Sequence, residues 1–286
     1  MRVQREPVGP LGHAAGQLSV ASARSALEKP PWRDIGTLRG LVEEQFLRPM
    51  HTGATMVAFR PREPELVIVP WLDGDLLDGS SERLDAFPGL AAWWRRAERL
   101  WSDNKTARSN MKLLDRLDYQ HLLRRQLPPG RHRVVYSASG QHLAACRIED
   151  DSVIEHKLYW ASVESLEEAR YLVAILNSQT LKDAVAPLQS RGQHNPRDFD
   201  LHVFGLPFPI FDPRAELHAG IAQLAHRAEI AAAGIDLDAD WQFQKARRIV
   251  REALVEDGIA GEIDAAVREL VDTSRASNIA APSPTA

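Results

Sequence analysis

The spacing of apolar residues over the first hundred positions predicts two helices with short strands between them. An apolar stripe in the segment 37–48 follows the period of a helix that would end before Pro49. Two apolar runs, 55–59 and 65–71, are separated by turn-forming residues and indicate a strand hairpin. The segment 80–101 returns to the helical period, and we expect its tryptophan-rich stripe to lie in the core.

In the middle of the chain the period changes to two. This alternation predicts three half-buried strands in an antiparallel meander over 131–163. Ser165 and Glu168 match the S-x-x-E capping box, so a helix with a buried apolar stripe is expected to follow. The segment 187–213 has too many turn-forming residues for a helix and is too long for a passive connector, which indicates a functional loop.

Three amphipathic helices are predicted after this loop, over 216–233, 241–256 and 262–271, with a break at Asp257 and Gly258. We interpret the last two as acidic helices. The fold class is therefore predicted to be α+β, with a small antiparallel sheet or hairpins packed with helices and followed by a C-terminal helical segment.

The length and composition bound the organisation of the chain. A chain of 286 residues with 44% apolar content can bury one large core or two small ones. We expect a loosely ordered N-terminal segment over 1–34, a mixed domain over 35–213, a helical support region over 214–272 and a disordered tail over 273–286.

Cysteine usage and apolar runs bear on the location of the protein. Cys146 is the only cysteine, which excludes an internal disulfide framework or a cysteine-rich zinc site and favours a reducing cytoplasm. The sequence has no apolar run of about 18 residues, so we expect no membrane span. Proline and glycine interrupt the first residues, which excludes a signal-peptide core.

Basic residues are concentrated in one part of a chain whose net charge is −4. The stretch from Arg95 to Arg133 contains eleven basic and four acidic residues, a net charge of +7. Such asymmetry is typical of a surface that faces phosphate. The alternative is a set of solvated helix faces with some internal ion pairs.

The motifs of common catalytic sites are missing. The sequence contains no glycine-rich phosphate loop, zinc-binding histidine pair, nucleophile elbow or cysteine-histidine arrangement. Asn195 and Pro196 resemble the start of the Asn-Pro-Pro-Tyr motif of amino-methylating DNA methyltransferases. Arg197 and Asp198 replace the second proline and the aromatic residue that would hold a flipped base. We therefore interpret this segment as a loop turn and expect no catalytic residue in it.

Clustered carboxylates with a lysine could form a metal-dependent nuclease site. The candidate set is Glu149, Asp150, Asp151, Glu155, Lys157, Asp198 and Asp200. Because this spacing is common by chance, a solvated acidic hairpin turn is the favoured interpretation. His218 and His226 are eight residues apart on one predicted helix, about 12 Å, too far for one metal ion, and we expect them at the surface.

Several short phrases occur in a fixed order along the chain. They are RVVYSASG at 133–140, YLVAILNS at 171–178, QSRG at 189–192, RDFD at 197–200 and LPFPIFD at 206–212. In this order the chain resembles, over residues 35–272, the C-terminal target-recognition region of large adenine DNA methyltransferases. These are the type IIG-like restriction-modification enzymes and their phage-defence relatives.

The resemblance implies an α+β target-recognition domain over 35–213 that grips duplex DNA and reads its sequence in the grooves. In that family a separate methyltransferase domain flips the adenine and binds S-adenosylmethionine. The catalytic half is absent from this sequence, so the resemblance implies no cofactor in this chain and no methyl transfer by this chain alone. The expected partners are double-stranded DNA and a separately encoded methyltransferase domain or subunit, with or without a nuclease. We expect this chain to be a separately encoded subunit, a fragment left by a frameshift, or the product of a shortened gene model.

DNA recognition requires cations for phosphates and forked polar side chains for base edges. The residues expected to contact phosphate are Lys105, Arg108, Lys112, Arg131, Arg133 and Lys157. The residues expected to reach bases are Gln189, Arg191, Gln193, His194, Asn195 and Arg197. Lys157 could instead decorate a strand edge, and an internal pair between Arg197 and Asp198 that holds the loop is an equal alternative.

Two other classes of function remain open at this point. One is an independent metal-dependent nuclease or hydrolase that uses the region of Asp198 and Asp200. The other is a helical interaction protein whose acidic C-terminal helices dock another subunit.

Overall fold

The structure is a computed structural model, and it describes residues 1–7, 16–23, 30–138, 140, 142–189, 199, 202–203 and 208–280. Thirteen strands lie in the described part of the chain: β1 (Arg2–Arg5), β2 (Gln17–Ser22), β3 (Arg39–Glu43), β4 (Leu47–His51), β5 (Met56–Val57), β6 (Arg60–Pro61), β7 (Glu65–Ile68), β8 (Trp71–Leu72), β9 (Asp75–Leu76), β10 (Arg133–Ser137), β11 (Ala145–Ile148), β12 (Val153–Ile154) and β13 (Leu158–Ser162).

Seven α-helices occur over the same residues: α1 (Pro88–Asn104), α2 (Leu113–Leu117), α3 (Leu166–Asn177), α4 (Gln179–Val185), α5 (Glu216–Ala233), α6 (Phe243–Glu256) and α7 (Ile259–Ala280). Small sheets combine with helices, and the chain ends in a helical segment. The predicted α+β class is therefore confirmed.

The chain divides into two compact units. Unit 1 contains residues 1–50, 64–129 and 151–154, and unit 2 contains residues 51–63, 130–150 and 155–286. The segment 35–213, predicted as one recognition domain, is thus shared between the two units.

Unit 1 is built on a six-stranded sheet with the strand order β12-β4-β7-β1-β2-β3. The apolar face of α1 packs on this sheet, and its residues Trp93 and Trp94 are fully buried beside Val20, Val42 and Phe46. The tryptophan-rich stripe is therefore core, as its helical spacing predicted.

The helix predicted over 37–48 is wrong, because these residues form β3, a 3-10 turn and the start of β4. Leu38 and Val42 are buried, whereas Leu41 remains 37% exposed. A spacing of four residues is shared by one face of a helix and one face of a strand, since four is a multiple of two. Pairing of β3 with β2 decides between these two structures here.

Two further predictions about this part of the chain are wrong. The N-terminal segment was expected to be loosely ordered, yet β1 pairs with both β2 and β7 within the sheet. The runs 55–59 and 65–71 were expected to form one hairpin. Instead β5 pairs with β6, and β7 pairs with β1 and β4.

Unit 2 contains a three-stranded antiparallel sheet with the order β11-β10-β13. A meander would place the second strand in the centre, but β10 pairs with both β11 and β13. The predicted strands are therefore present and the predicted meander is wrong. The central strand β10 is buried along its whole length, which makes it the core of this sheet.

Helices α3, α5, α6 and α7 supply most of the apolar core of unit 2. Ser165 caps α3, since its hydroxyl accepts a hydrogen bond from the Glu168 amide at 3.1 Å. The Glu168 carboxylate accepts from the Glu164 amide at 2.9 Å. The predicted cap is confirmed, although the returning bond reaches one residue further back than in the usual capping box.

The predicted break between the last two helices is confirmed, and Gly258 adopts a φ of 77° there. The tail over 273–286 was expected to be disordered, but α7 continues to Ala280. That part of the prediction is wrong, and residues 281–286 lie outside the described residues.

Glu43 caps the first turn of α1. Its carboxylate accepts hydrogen bonds from the amides of Gly89 and Leu90 at 2.9 and 2.8 Å and from the side chain of Gln17 at 2.9 Å. Partial burial works to raise the pKa of Glu43, but the bond from Leu90, with those from Gln17 and Gly89, holds the pKa below its ordinary value.

We expect Glu43→Gln to lower the free energy of unfolding by about 1 kcal/mol at pH 7, because the helix N-terminus loses a charged acceptor. A depressed folded-state pKa stabilises the protein above the unfolded-state value and loses that contribution as pH falls through the folded value. The difference from wild type should therefore shrink below about pH 4. Urea denaturation at several pH values measures it. The control is Glu44→Gln, at an exposed neighbouring carboxylate. An equal effect of both changes would contradict the assignment.

A carboxylate joins three elements in unit 2. Glu229 of α5 pairs with Arg147 of β11 at 2.8 Å and with Arg170 of α3 at 2.9 Å. The three side chains are only 12 to 17% exposed. Removal of Glu229 would leave two cations poorly solvated and without this partner.

We expect Glu229→Ala to lower the free energy of unfolding by about 2–3 kcal/mol, because a largely buried pair is broken from one side. Thermal and chemical denaturation of the full chain measure the loss. The matched control is Glu262→Ala, which removes an exposed pair with Arg227 and should change stability little. If the two variants are equally stable, Glu229 does not have this role.

Candidate functional site

Many cations of the basic stretch 95–133 are occupied within unit 1. Arg95 pairs with Asp85 at 2.7 Å, and Lys112 pairs with Asp78 at 3.3 Å. The Lys105 ammonium donates to the Met111 carbonyl at 3.1 Å. Further cations of this kind are Arg96, which donates to the Arg39 carbonyl, and Arg124, which pairs with Asp118. Lys105 and Lys112 thus have internal partners that DNA phosphates would have to replace.

Within unit 1, four arginines of the same stretch are exposed and form no hydrogen bond or ion pair through their side chains with any described residue. They are Arg99 on α1, Arg108 after it, Arg116 on α2 and Arg125 in a following 3-10 turn. We refer to these four residues as the arginine group. Only Arg108 among them was singled out from the sequence, because charge counting cannot separate paired from unpaired cations.

The remaining cations predicted to contact phosphate lie in unit 2. Arg131 and Lys157 are exposed. Arg133 is fully buried, and its guanidinium donates to the Asp150 carbonyl at 2.7 Å and lies 3.7 Å from the Asp150 carboxylate. The prediction of a phosphate contact by Arg133 is wrong in this structure, because its buried guanidinium contacts Asp150 in the turn that follows β11.

The predicted base-reading loop falls mostly outside the described residues. Gln189 is half-buried, and its Nε2 atom has no hydrogen-bond partner in the part of the chain that the structure describes. The other members, Arg191, Gln193, His194, Asn195 and Arg197, lie outside the described residues.

The carboxylates considered for a nuclease site act as ion-pair partners. Glu149 pairs with Arg147 and His132. Arg147, and to a smaller extent His132, lowers the pKa of the Glu149 carboxyl, although partial burial works to raise it. Asp151 pairs with Arg48 at 3.1 Å. Within the described ranges no three acidic, histidine or cysteine side chains converge as a metal site would require. Asp198 and Asp200 lie outside those ranges.

The histidines of α5 are not both surface residues as predicted. His218 is buried, and its Nδ1 accepts a hydrogen bond from the Asp212 amide at 2.9 Å. Burial lowers its pKa, against the opposing charge of Asp212. His226 is more open and contacts Arg170 through Nδ1 at 2.7 Å. Neither residue points to a metal site.

Sequence reasoning missed a cleft of about 910 Å³ in unit 2. Basic side chains from α4 and α6 line it, and Asp264 is the single acidic side chain among the described residues that line it. The basic lining residues are Lys182, Lys245, Arg247, Arg248 and Arg251. We call this feature the cationic cleft. Its volume lies within the range of about 300–1,000 Å³ that is usual for small-molecule sites.

Three of the five cations have a role within the protein. Arg247 donates to the carbonyls of Met56 and Gly53 at 2.8 and 2.7 Å, and burial lowers its pKa to about 10. Lys245 lies 3.9 Å from the centre of the Trp241 ring. Arg248 lies 3.9 Å from the Glu252 carboxylate one turn further along α6.

Lys182 and Arg251 lack such partners. Both are half-buried, and neither forms an ion pair with a described residue. Burial lowers the pKa of Lys182. The negative charge of Asp183 works to raise this pKa, and the positive charge of Arg251 lowers it further. Burial, with the charges of Arg251 and Lys182, lowers the pKa of His142 to about 4, so this ring is neutral at pH 7.

One part of this cleft, the basic character of α6, was visible in the sequence. Four basic residues fall between 245 and 251, and α6 carries four basic side chains against two acidic ones. The prediction of acidic C-terminal helices is therefore wrong for α6, whose net charge is +2.

Comparison with known proteins gives little. No known protein family matches the sequence, and no curated protein matches it. None of the described helices has the length and apolar character required to cross a membrane. Among solved structures, the chain is similar to MmeI, a type IIL restriction-modification enzyme in complex with DNA. The TM-score is 0.46 and the sequence identity 11%, with 82% of this chain and 31% of that chain covered. This chain therefore spans about a third of the length of that enzyme.

Proposed function

We propose that this chain recognises specific sequences in duplex DNA as the specificity portion of an adenine DNA methyltransferase or restriction-modification system. Methyl transfer would be carried out by a partner chain or domain that holds S-adenosylmethionine. The short sequence motifs between residues 133 and 212 support the proposal, because their sequence and order resemble the target-recognition region of such enzymes.

The arginine group is the observation that carries the proposal. Exposed arginines without counterions are solvated by water and mobile ions, which phosphate groups can replace at little cost. The planar guanidinium presents two parallel N–H donors to phosphate oxygens, so arginine suits this contact better than lysine. Four such side chains lie between Arg99 and Arg125 of unit 1, on or beside α1 and α2.

Base reading is proposed for the segment from Gln189 to Arg197. Arginine can donate two hydrogen bonds to guanine, and asparagine or glutamine can form a similar pair with adenine. The Nε2 donor of Gln189 is buried without a described partner, so this side chain would have to move to reach a base. The remaining side chains of this segment enter the proposal through their chemistry alone.

We expect DNA binding that weakens steeply with salt and that depends on the arginine group. Each phosphate contact contributes about 0.9 to the slope of log K against log salt concentration. A variant with Arg99, Arg108, Arg116 and Arg125 all changed to glutamine should bind more weakly and show a smaller slope. Fluorescence anisotropy with random-sequence duplexes at several salt concentrations measures both quantities.

The control for this experiment is Arg83→Gln. Arg83 lies in the same unit, but it is occupied by Asp73 and Asp75 at 3.3 and 2.8 Å. Its loss should leave the slope unchanged. An unchanged slope in the fourfold variant, or DNA binding that is insensitive to salt, would contradict the proposed phosphate contacts.

We expect charge reversal in the loop to alter sequence preference. Arg191→Glu and Arg197→Glu should each change the preferred sequence recovered from a random duplex library, since a lost bidentate base contact is worth about 1–3 kcal/mol of discrimination. Lys157→Glu is the control and should weaken binding to all sequences alike. If the loop variants recover the wild-type sequence, base reading does not occur through these residues.

A further inference from the structure

The cationic cleft contains two positive groups that form no ion pair with a described residue. Lys182 of α4 and Arg251 of α6 are half-buried and repel each other electrostatically. Holding like charges together away from water destabilises a fold unless an anion offsets it. A cleft that gathers cations in this way is therefore suited to an anionic ligand.

The acidic residues nearby are already engaged. The Asp264 carboxylate accepts a hydrogen bond from the Gln179 amide at 2.6 Å, and burial raises its pKa. The Asp183 carboxylate accepts from the Gln179 side chain at 2.6 Å. Both carboxylates thus support the start of α4, and neither forms an ion pair with Lys182 or Arg251.

Apolar residues also line the cleft. Leu143, Leu176, Leu254 and Ile263 line it together with the ring of Phe243. Arg247 lies over the Phe243 ring at 5.0 Å and holds the neighbouring loop through its two carbonyl contacts, so this wall is fixed by internal bonds. The cleft therefore combines an anion-binding side with a surface for an apolar or aromatic group.

We propose that the cationic cleft binds a phosphate ester of nucleotide size. Lys182 and Arg251 would hold the phosphate, and the base or other apolar part would lie against the apolar residues that line the cleft. His142 is neutral at pH 7 and offers one further hydrogen bond without adding charge. The phosphate could belong to a free nucleotide or to a nucleotide within DNA. The site does not require the arginine group, so it stands independently of the proposed DNA recognition.

Titration of the full chain with ADP and with inorganic pyrophosphate tests this site, with adenosine as the ligand without phosphate. Isothermal titration calorimetry gives the affinity, and thermal denaturation gives an independent readout. We expect ADP and pyrophosphate to bind and to raise the Tm, whereas adenosine does neither. Lys182→Gln combined with Arg251→Gln should weaken ADP binding at least about tenfold.

Two further variants separate the site from general effects. Arg268→Gln removes an exposed cation of α7 outside the cleft and should leave ADP binding unchanged. Lys182→Arg keeps the charge and should retain binding. The unliganded double glutamine variant should be at least as stable as wild type at low salt, because its two repelling cations are gone. Loss of binding without loss of stability therefore reports the site.

The source of the phosphate follows from competition. If a duplex oligonucleotide displaces ADP and the double variant weakens its binding, the cleft holds a nucleotide of DNA. If the duplex binds while ADP remains bound, the cleft serves a free nucleotide. The proposal is overturned if neither ADP nor pyrophosphate binds at millimolar concentration, or if the double variant binds ADP as tightly as wild type. Failure of DNA binding alone would overturn only the proposed DNA recognition.

Discussion

Neutralisation of buried cations is the constraint on which unit 2 depends, and Glu229 pairs with two of these cations. The Glu229 carboxylate on α5 pairs with Arg147 on β11 and with Arg170 on α3, so one charge links a strand and two helices. Arg133 and Arg247 donate hydrogen bonds to backbone carbonyls of neighbouring turns. These four cations have partners within the protein. Cations that lack such partners identify surfaces where an external anion could bind.

The cations of the chain thus fall into two classes. Paired ones hold turns and helices together, and these include several residues of the basic stretch that the sequence alone would assign to DNA. Among the described cations without an ion-pair partner, two groups matter here: the arginine group in unit 1, and Lys182 with Arg251 in unit 2. We propose that the first group contacts phosphates along DNA and that the second holds a single phosphate inside a cleft.

The sequence predicted the elements that depend on local signals. The cap at Ser165, the helix α5 and the break at Gly258 follow from capping chemistry and amphipathic spacing. It failed where pairing between distant strands decides the structure. The segment 37–48 has a spacing that suits either a helix or a strand, and the central position of β10 depends on contacts with two strands later in the chain.

The candidate site divides in the same way. Counting charges located a basic region but could not show that Arg133 is buried or that Lys112 is paired. The cationic cleft joins α4 to α6, which are about sixty residues apart in sequence, so no local pattern announces it. Only the basic spacing of α6 itself was visible in advance.

Arginine-selective chemical modification, read by mass spectrometry with and without bound duplex DNA, shows whether the arginine group contacts DNA. The account predicts that DNA protects Arg99, Arg108, Arg116 and Arg125 from modification, while the exposed Arg214 reacts equally in both states. Equal reactivity of the four arginines with and without saturating DNA would contradict it.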